Sequence, residues 1–303
     1  MVGWSPRVGR NRVSGLIVAA AFVSLAVAAV AWATPSEYHF RTLDAPGEAN
    51  TFLYDLNDRG DAVGQGYNAD FSFSQGVRWV HRSFRPPFVV AGASDTSLNS
   101  LNDRLVMTGS YSDPQGVGQA FLLRGSSRTD FTATPAAQFT TAGLNDQGNL
   151  AGTYTEDFKT THAFTIIHGV KQTFSAPGAD VSDTQAFKLN SRDAVVGWYR
   201  NASGSHGYVR EGTSFTTIDV PGAYLTRAFG INNRDQGTGY FQTAKGAPPT
   251  GFIWHRGRIT IVPQAPGATG TAPQGINDRG ELAGYYQAHD GTFHGFIAQP
   301  DGD

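Results

Sequence analysis

The chain has 303 residues, 16% of them charged, with 37 glycines, no cysteine and a formal net charge of -2. Without cysteine there is no disulfide framework, no thiolate nucleophile and no cysteine-ligated metal. The near-neutral balance, with no basic run in the body of the chain, excludes the electrostatic footprint of a nucleic-acid partner.

At the N-terminus Arg7, Arg10 and Arg12 precede an apolar run from Leu16 to Ala31, and Ala31, Trp32 and Ala33 form a small-x-small site. Charged, apolar and cleavable in that order is the pattern of a secretory signal peptide, here residues 1–33, ahead of a single domain over 34–303. The apolar run is shorter than the roughly 20 residues of a membrane span. The expected product is therefore secreted, extracellular or periplasmic, with no stable membrane span after cleavage. Cleavage removes three arginines and no acid, which leaves a net charge of about -5.

From Leu56 onward one motif recurs: LNDRGDAVG, LNDRLVMTG, LNDQGNLAG, LNSRDAVVG, INNRDQGTG and INDRGELAG. Its asparagines are Asn57, Asn102, Asn145, Asn190, Asn232 and Asn277, in steps of 45, 43, 45, 42 and 45 residues. Such a period in a strand-rich sequence indicates a radial or solenoidal repeat. The stretch from Gly207 to Phe241 shows the unit. Strands are expected at Gly207 to Arg210, Ser214 to Val220, Thr226 to Ile231 and Gly237 to Phe241, with Glu211-Gly212, Pro221-Gly222 and Asn232 to Gln236 as turns. Four short strands per period is the blade pattern of a β-propeller. The first two periods fit least well: Arg85, Pro86 and Pro87 interrupt the usual spacing, and Leu105 stands where other copies offer Gly or Asp, so a different turn is expected there.

The last period stops after Gly295, Phe296 and Ile297, and the piece that should follow is found near the start, from Tyr38 to Gly47. A closed ring accounts for this, because the N-terminal strand completes the last blade and removes an exposed edge. The expected fold is all-β: a six-bladed β-propeller of four-stranded blades, the ring closed by the N-terminal strand, and a monomer.

The recurring Asn reads as a turn residue, since its side chain can bond backbone two residues on. Calcium loops need oxygen ligands at positions 1, 3 and 5, and Arg59 occupies position 3 of the first copy. The arginines that follow each Asn (Arg59, Arg104, Arg192, Arg234 and Arg279) suit packing or inter-blade ion pairs, with Asp44 and Asp219 as candidate partners. In Gly284, Tyr285 and Tyr286 and its counterparts, Gly allows close strand approach and the aromatics fill space between sheets. His162, His206 and His294 share one slot in three periods, and convergence on the axis would let them bind a metal such as zinc. The alternative is a histidine bonded within its own blade. No nucleophile elbow, P-loop, Rossmann glycine pattern or HExxH occurs, so no catalytic residue or cofactor is assigned. The carboxylates outside the repeat, Asp70, Asp95, Asp113, Glu156, Asp157, Asp180 and Asp290, lie in variable segments where propellers place binding groups. Asp70, Asp113, Glu156 and Asp290 are the binding candidates.

With the repeat parsed, His162, Ala163 and Phe164, together with Gly230 to Tyr240, Gly275 to Tyr286 and Phe215 to Ala223, resemble the bacterial extracellular repeat family named for its His-Ala-Phe tripeptide. The resemblance spans about Tyr38 to Gln299; Gln119, Thr250 and the first period lack the His. It implies a secreted, propeller-like protein and transfers no catalytic residue. Two functions fit. One is an extracellular binding or scaffold domain presenting variable loops to a glycan, peptide or small ligand. The other is a secreted hydrolase, lyase or cyclase/isomerase with its site in the central funnel, assisted by metal if the histidines meet.

Overall fold

The computed structural model describes residues 31–32, 37–131, 138–155, 160–179 and 183–301, and every regular element in them is a β-strand. The expected export signal lies outside the described residues, apart from the backbone of Ala31–Trp32, which pairs in parallel with Arg258 and Ile259. Six four-stranded antiparallel blades surround one axis. Blade five shows the plan: Leu225–Ile231, Gln236–Gln242, Thr250–His255 and Arg258–Ile261 pair in that order, from the axis outward. Blades four and five are linked by a single parallel bridge from Ser205 to Leu225.

The ring closes as the sequence implied. Tyr38–Leu43 pairs antiparallel with Phe293–Pro300 and becomes the outer strand of blade six, beyond Ala268–Ile276 and Leu282–Ala288. The sequence period and the blade are offset by two strands, however. Gly207 to Phe241 holds the outer pair of blade four followed by the inner pair of blade five.

Each recurring residue has its place in this plan. The residue before each Asn (Leu56, Leu101, Leu144, Leu189, Ile231 and Ile276) is about 1% exposed and fills the space behind the inner strand. The aromatic at the end of the His-x-aromatic slot (Phe121, Phe164, Tyr208, Phe252 and Phe296) is also fully buried, and together these side chains form the inter-blade core. A threonine early in five inner strands binds each blade to the one before it. Thr51, Thr96, Thr184, Thr226 and Thr271 accept hydrogen bonds from the backbone N–H of Ala45, Val90, Ala176, Val220 and Ala265 at 2.9–3.1 Å.

Five inner strands carry a β-bulge at the same place, three residues before the Asn; in blade three the register shifts two residues earlier, between Phe139 and Thr141. A bulge leaves one residue unpaired and re-aims its side chain. The second strand meets this distortion with Gly: a Cβ on Gly197 or Gly239 would lie about 2 Å from the inner-strand carbonyl of Gln185 or Arg227. That close approach is why Gly opens each Gly-x-aromatic motif. Leu105 does not change its turn. It takes the same left-handed conformation, φ 56°, as Gly60, Asp193 and Asp235 in the equivalent slot, a strained conformation for a branched side chain.

Candidate functional site

The two ends of the axis are built from the same strands, yet they differ in chemistry. At one end the recurring asparagines form a closed circle. Each Nδ2 donates to the backbone carbonyl of the next Asn at 2.9–3.3 Å, from Asn57 round to Asn277, which donates back to Asn57. Each Oδ1 accepts the backbone N–H groups two and four residues on, at 2.9–3.1 Å, and so shapes its own turn. One amide thus satisfies its own turn and the neighbouring blade, which explains why no other side chain occupies the slot.

The next residue makes a second circle. The backbone N–H of Asp58 donates to Asp103, that of Asp103 to Asp146, Ser191 to Asn233, Asn233 to Asp278 and Asp278 to Asp58, at 2.7–3.0 Å. Between blades three and four the link differs, because Ser191 is too short, and Gln147 donates to the Ser191 carbonyl instead. Burial raises the Asp58 carboxyl above its usual range; the Asp278 N–H opposes this, and the neighbouring carboxylates of Asp278, Asp103 and Asp146 add to it. This end encloses only about 50 Å³.

The opposite end opens into a funnel of about 640 Å³. The bulges supply much of its wall: Tyr54, Asn99, Phe187, Phe229 and Gln274 are the bulged residues of five blades, and all line it. Phe187 and Phe229 meet edge to face at 4.8 Å, and Tyr240 stacks behind Phe229 at 5.4 Å. Blade one adds a fixed polar network. The hydroxyls of Tyr54 and Tyr67 both donate to Gln65 Oε1, at 3.0 and 2.9 Å, while Gln65 Nε2 donates to Ser74 at 2.7 Å. Burial raises both phenols further above their usual values, so both remain protonated donors. Blade two continues this wall with Ser97, Asn99 and Ser110, linked among themselves by hydrogen bonds, and with Ser100.

At the floor, Lys188 of blade four reaches Asp55 of blade one, directly across the ring. Asp55 is fully buried and also accepts Ser100 Oγ at 2.6 Å and the backbone N–H groups of Leu56 and Leu101. These groups sit two residues before the Asn, where three other blades carry Gly143, Gly230 and Gly275. A Cβ at any of those glycines would lie within about 3 Å of the next inner strand. At the lip, the loop from Asn68 to Phe73 holds Phe71 and Phe73 at 47% and 40% exposure, with Phe71 at φ 58°. Backbone strain of this kind concentrates where a side chain must be displayed.

The residues singled out from sequence fall elsewhere. His162, His206 and His294 lie on third strands, two strands out from the axis, each in its own blade. The structure does not bring them together, and no group of three metal-ligating side chains occurs among the described residues. Each ring stacks on the second-strand tyrosine of its blade (Tyr154, Tyr199 or Tyr286) at 5.1–5.2 Å. His206 and His294 also bond Asp219 and Asp44, the residues just past the outermost strands Ser214–Ile218 and Tyr38–Leu43. Those acids therefore pair with the histidines and not with the recurring arginines, of which Arg192 and Arg279 bind Asp235 and Glu281. Ser203, His206 and Asp219 form a hydrogen-bonded row resembling a hydrolase triad. Thr292, His294 and Asp44 repeat it in blade six, and an arrangement shared by two blades serves the blade.

Of the binding candidates, Asp70 accepts from Ser72, Asp113 from Gln115 and Val117, and Asp290 from Thr292. Each carboxylate closes its own turn, and these short-range donors hold Asp70 and Asp290 below the usual range. Glu156, with Asp157 and Asp180, lies outside the described residues. Among the described residues of that carboxylate set, Asp95, the first residue of its strand, is the one that lines the funnel. The funnel residues were missed because attention went to what recurs. The available signal was the opposite: slots three and two before each Asn vary in chemistry, while the Leu or Ile before the Asn and the Asn itself recur.

No protein-family model and no curated protein matches the chain. Solved structures do. A mutant of AofleA from Arthrobotrys oligospora superposes with a TM-score of 0.54 at 13% identity, over 87% of this chain and 86% of that one. SapL1 lectin, solved with alpha methyl fucoside, gives 0.55 at 10% identity, over 84% and 94%. TolB from Acinetobacter baumannii gives 0.51 at 12% identity, over 85% and 66%. At such identities the likeness establishes the β-propeller fold, and the site must be read from its own residues.

Proposed function

We propose that the chain is a secreted carbohydrate-binding propeller of the His-Ala-Phe repeat kind, with its ligand seated in the axial funnel. The observation that carries this is the two-sided wall. Aromatic side chains at Phe187 and Phe229, in blades four and five, stand across the ring from the hydroxyl and amide row of blade two. A sugar ring is amphipathic in the same sense, with an apolar C–H face and an edge of hydroxyls, and a cavity of this size suits a small ligand. The fucoside-bound SapL1 lectin, on the same fold, is consistent with the reading. A carboxylate-based hydrolase is the second reading, since Asp55 and Asp95 share the funnel. It is weaker because both carboxylate oxygens of Asp55 are already engaged by Lys188, Ser100 and two backbone N–H groups.

The test is a glycan array followed by calorimetry on the best binder. Phe187→Ala with Phe229→Ala should weaken binding at least tenfold, and no reducing ends should be released. Undiminished binding by the double variant would move the site out of the funnel, and steady turnover would establish the hydrolase.

A further inference from the structure

A second cavity, of about 830 Å³, lies between blades five and six at the Asn-ring end, away from the funnel. Its blade-five side is cationic. Gln236, His255 and Arg258 are register partners across three adjacent strands, Gln236 with His255 and His255 with Arg258. Direct partners in an antiparallel pair have Cβ atoms about 5 Å apart on one face of the sheet. Arg234, from the turn at the end of the inner strand, lines the same cavity.

What distinguishes this groove is that its positive charge is uncommitted while its negative charge is not. Arg192, in the equivalent slot of blade four, binds Asp235. The residue corresponding to Asp235 in the next blade is Gly280, so Arg234 finds no carboxylate there. Among the described residues, neither the Arg234 nor the Arg258 guanidinium has a hydrogen-bond or ion-pair partner, and His255 Nε2 is buried without one. On the facing wall, Glu281 is held by Arg279, Asn277 and Gln299, and Asp301 by His39. Burial pushes the Glu281 carboxyl up, and those three donors outweigh it, leaving it below the usual range and firmly ionised.

We infer that this groove is an oxyanion site: Arg234 and Arg258 would clamp a carboxylate, sulfate or phosphate group, with His255 and Gln236 as further donors. Guanidinium forks match such groups by paired hydrogen bonds. The site is separate from the funnel and does not depend on the funnel reading.

The test titrates the full mature chain with inorganic phosphate, sulfate and D-glucuronate, using D-glucose as the neutral control. Calorimetry and the histidine side-chain 15N resonances are followed. At least one oxyanion should bind, perturb His255 and weaken with added salt, while glucose should leave it unmoved. Arg234→Gln with Arg258→Gln should reduce that affinity at least tenfold; both residues are exposed, and an unchanged melting temperature would show the fold intact. Tighter binding of glucuronate than of phosphate would identify an acidic saccharide as the ligand, and the reverse a phosphate ester. No oxyanion binding in the millimolar range, or equal binding by the double variant, would overturn the assignment.

Discussion

The Asn ring and the funnel are opposite ends of the same inner strands, separated by three residues in five of them. Asn232 and Phe229 illustrate the contrast. Asn232 is almost fully buried and joins its own turn to Asn277 of the next blade. Phe229 is re-aimed by the bulge into an open cavity and touches Phe187. Six-fold identity at one slot marks a job every blade must do, whereas variation at the other is tolerated because the funnel requires no symmetry. In a repeat protein, then, the recurring polar residue explains the scaffold and the varying neighbour suggests the site.

The floor pair gives the largest test of that contrast, because it couples the two ends. Lys188→Met should cost about 3 kcal/mol, since it leaves the buried Asp55 carboxylate without its cation. Chemical unfolding would measure it, and Asp55→Asn added to Lys188→Met should recover part of the loss. A negligible cost would mean that the pair is not a strut. Next comes Asn232→Ala, which removes one inter-blade bond and three bonds within its turn and should cost about 2–3 kcal/mol, with no effect on funnel ligands. Phe229→Ala should do the reverse: about 1 kcal/mol or less in stability, given its partial exposure, and at least a tenfold loss of ligand affinity. If Phe229→Ala proved the more destabilising of the two, the division between scaffold and site would fail.

The smallest effect concerns the acidic circle. Burial leads the influences that raise Asp58. A folded value above the unfolded one means that the stability linked to protonation is fully present below the unfolded value and is lost as pH rises through the folded value. Asp58→Asn keeps an acceptor for the Asp278 N–H and removes the charge. It should therefore raise stability near neutral pH, by less than about 1 kcal/mol at a half-buried, solvent-screened site. Thermal melts should show the gain fading in acid; a gain independent of pH would point to a cause other than charge.

The sequence by itself determined the number of blades, the turns between the inner strands and the closure of the ring. A repeat must place the same residue in the same environment each time, and the missing piece of the last period was legible at Tyr38. It also identified Asn as a turn former, because that half of its bonding is local. The other half, the donation from each Nδ2 to the next blade, joins residues more than forty positions apart and exists only once the ring closes. The same holds for the strut between Asp55 and Lys188, which were unremarkable until the fold set them across the axis. The histidines show the converse. A shared slot implied a shared place, but strand order decides radial distance, and the third strand of a blade is too far out for side chains of different blades to meet. The bulge decided the funnel, since one unpaired residue in each of five inner strands turns a side chain toward the axis, and no alternation of apolar and polar residues records it.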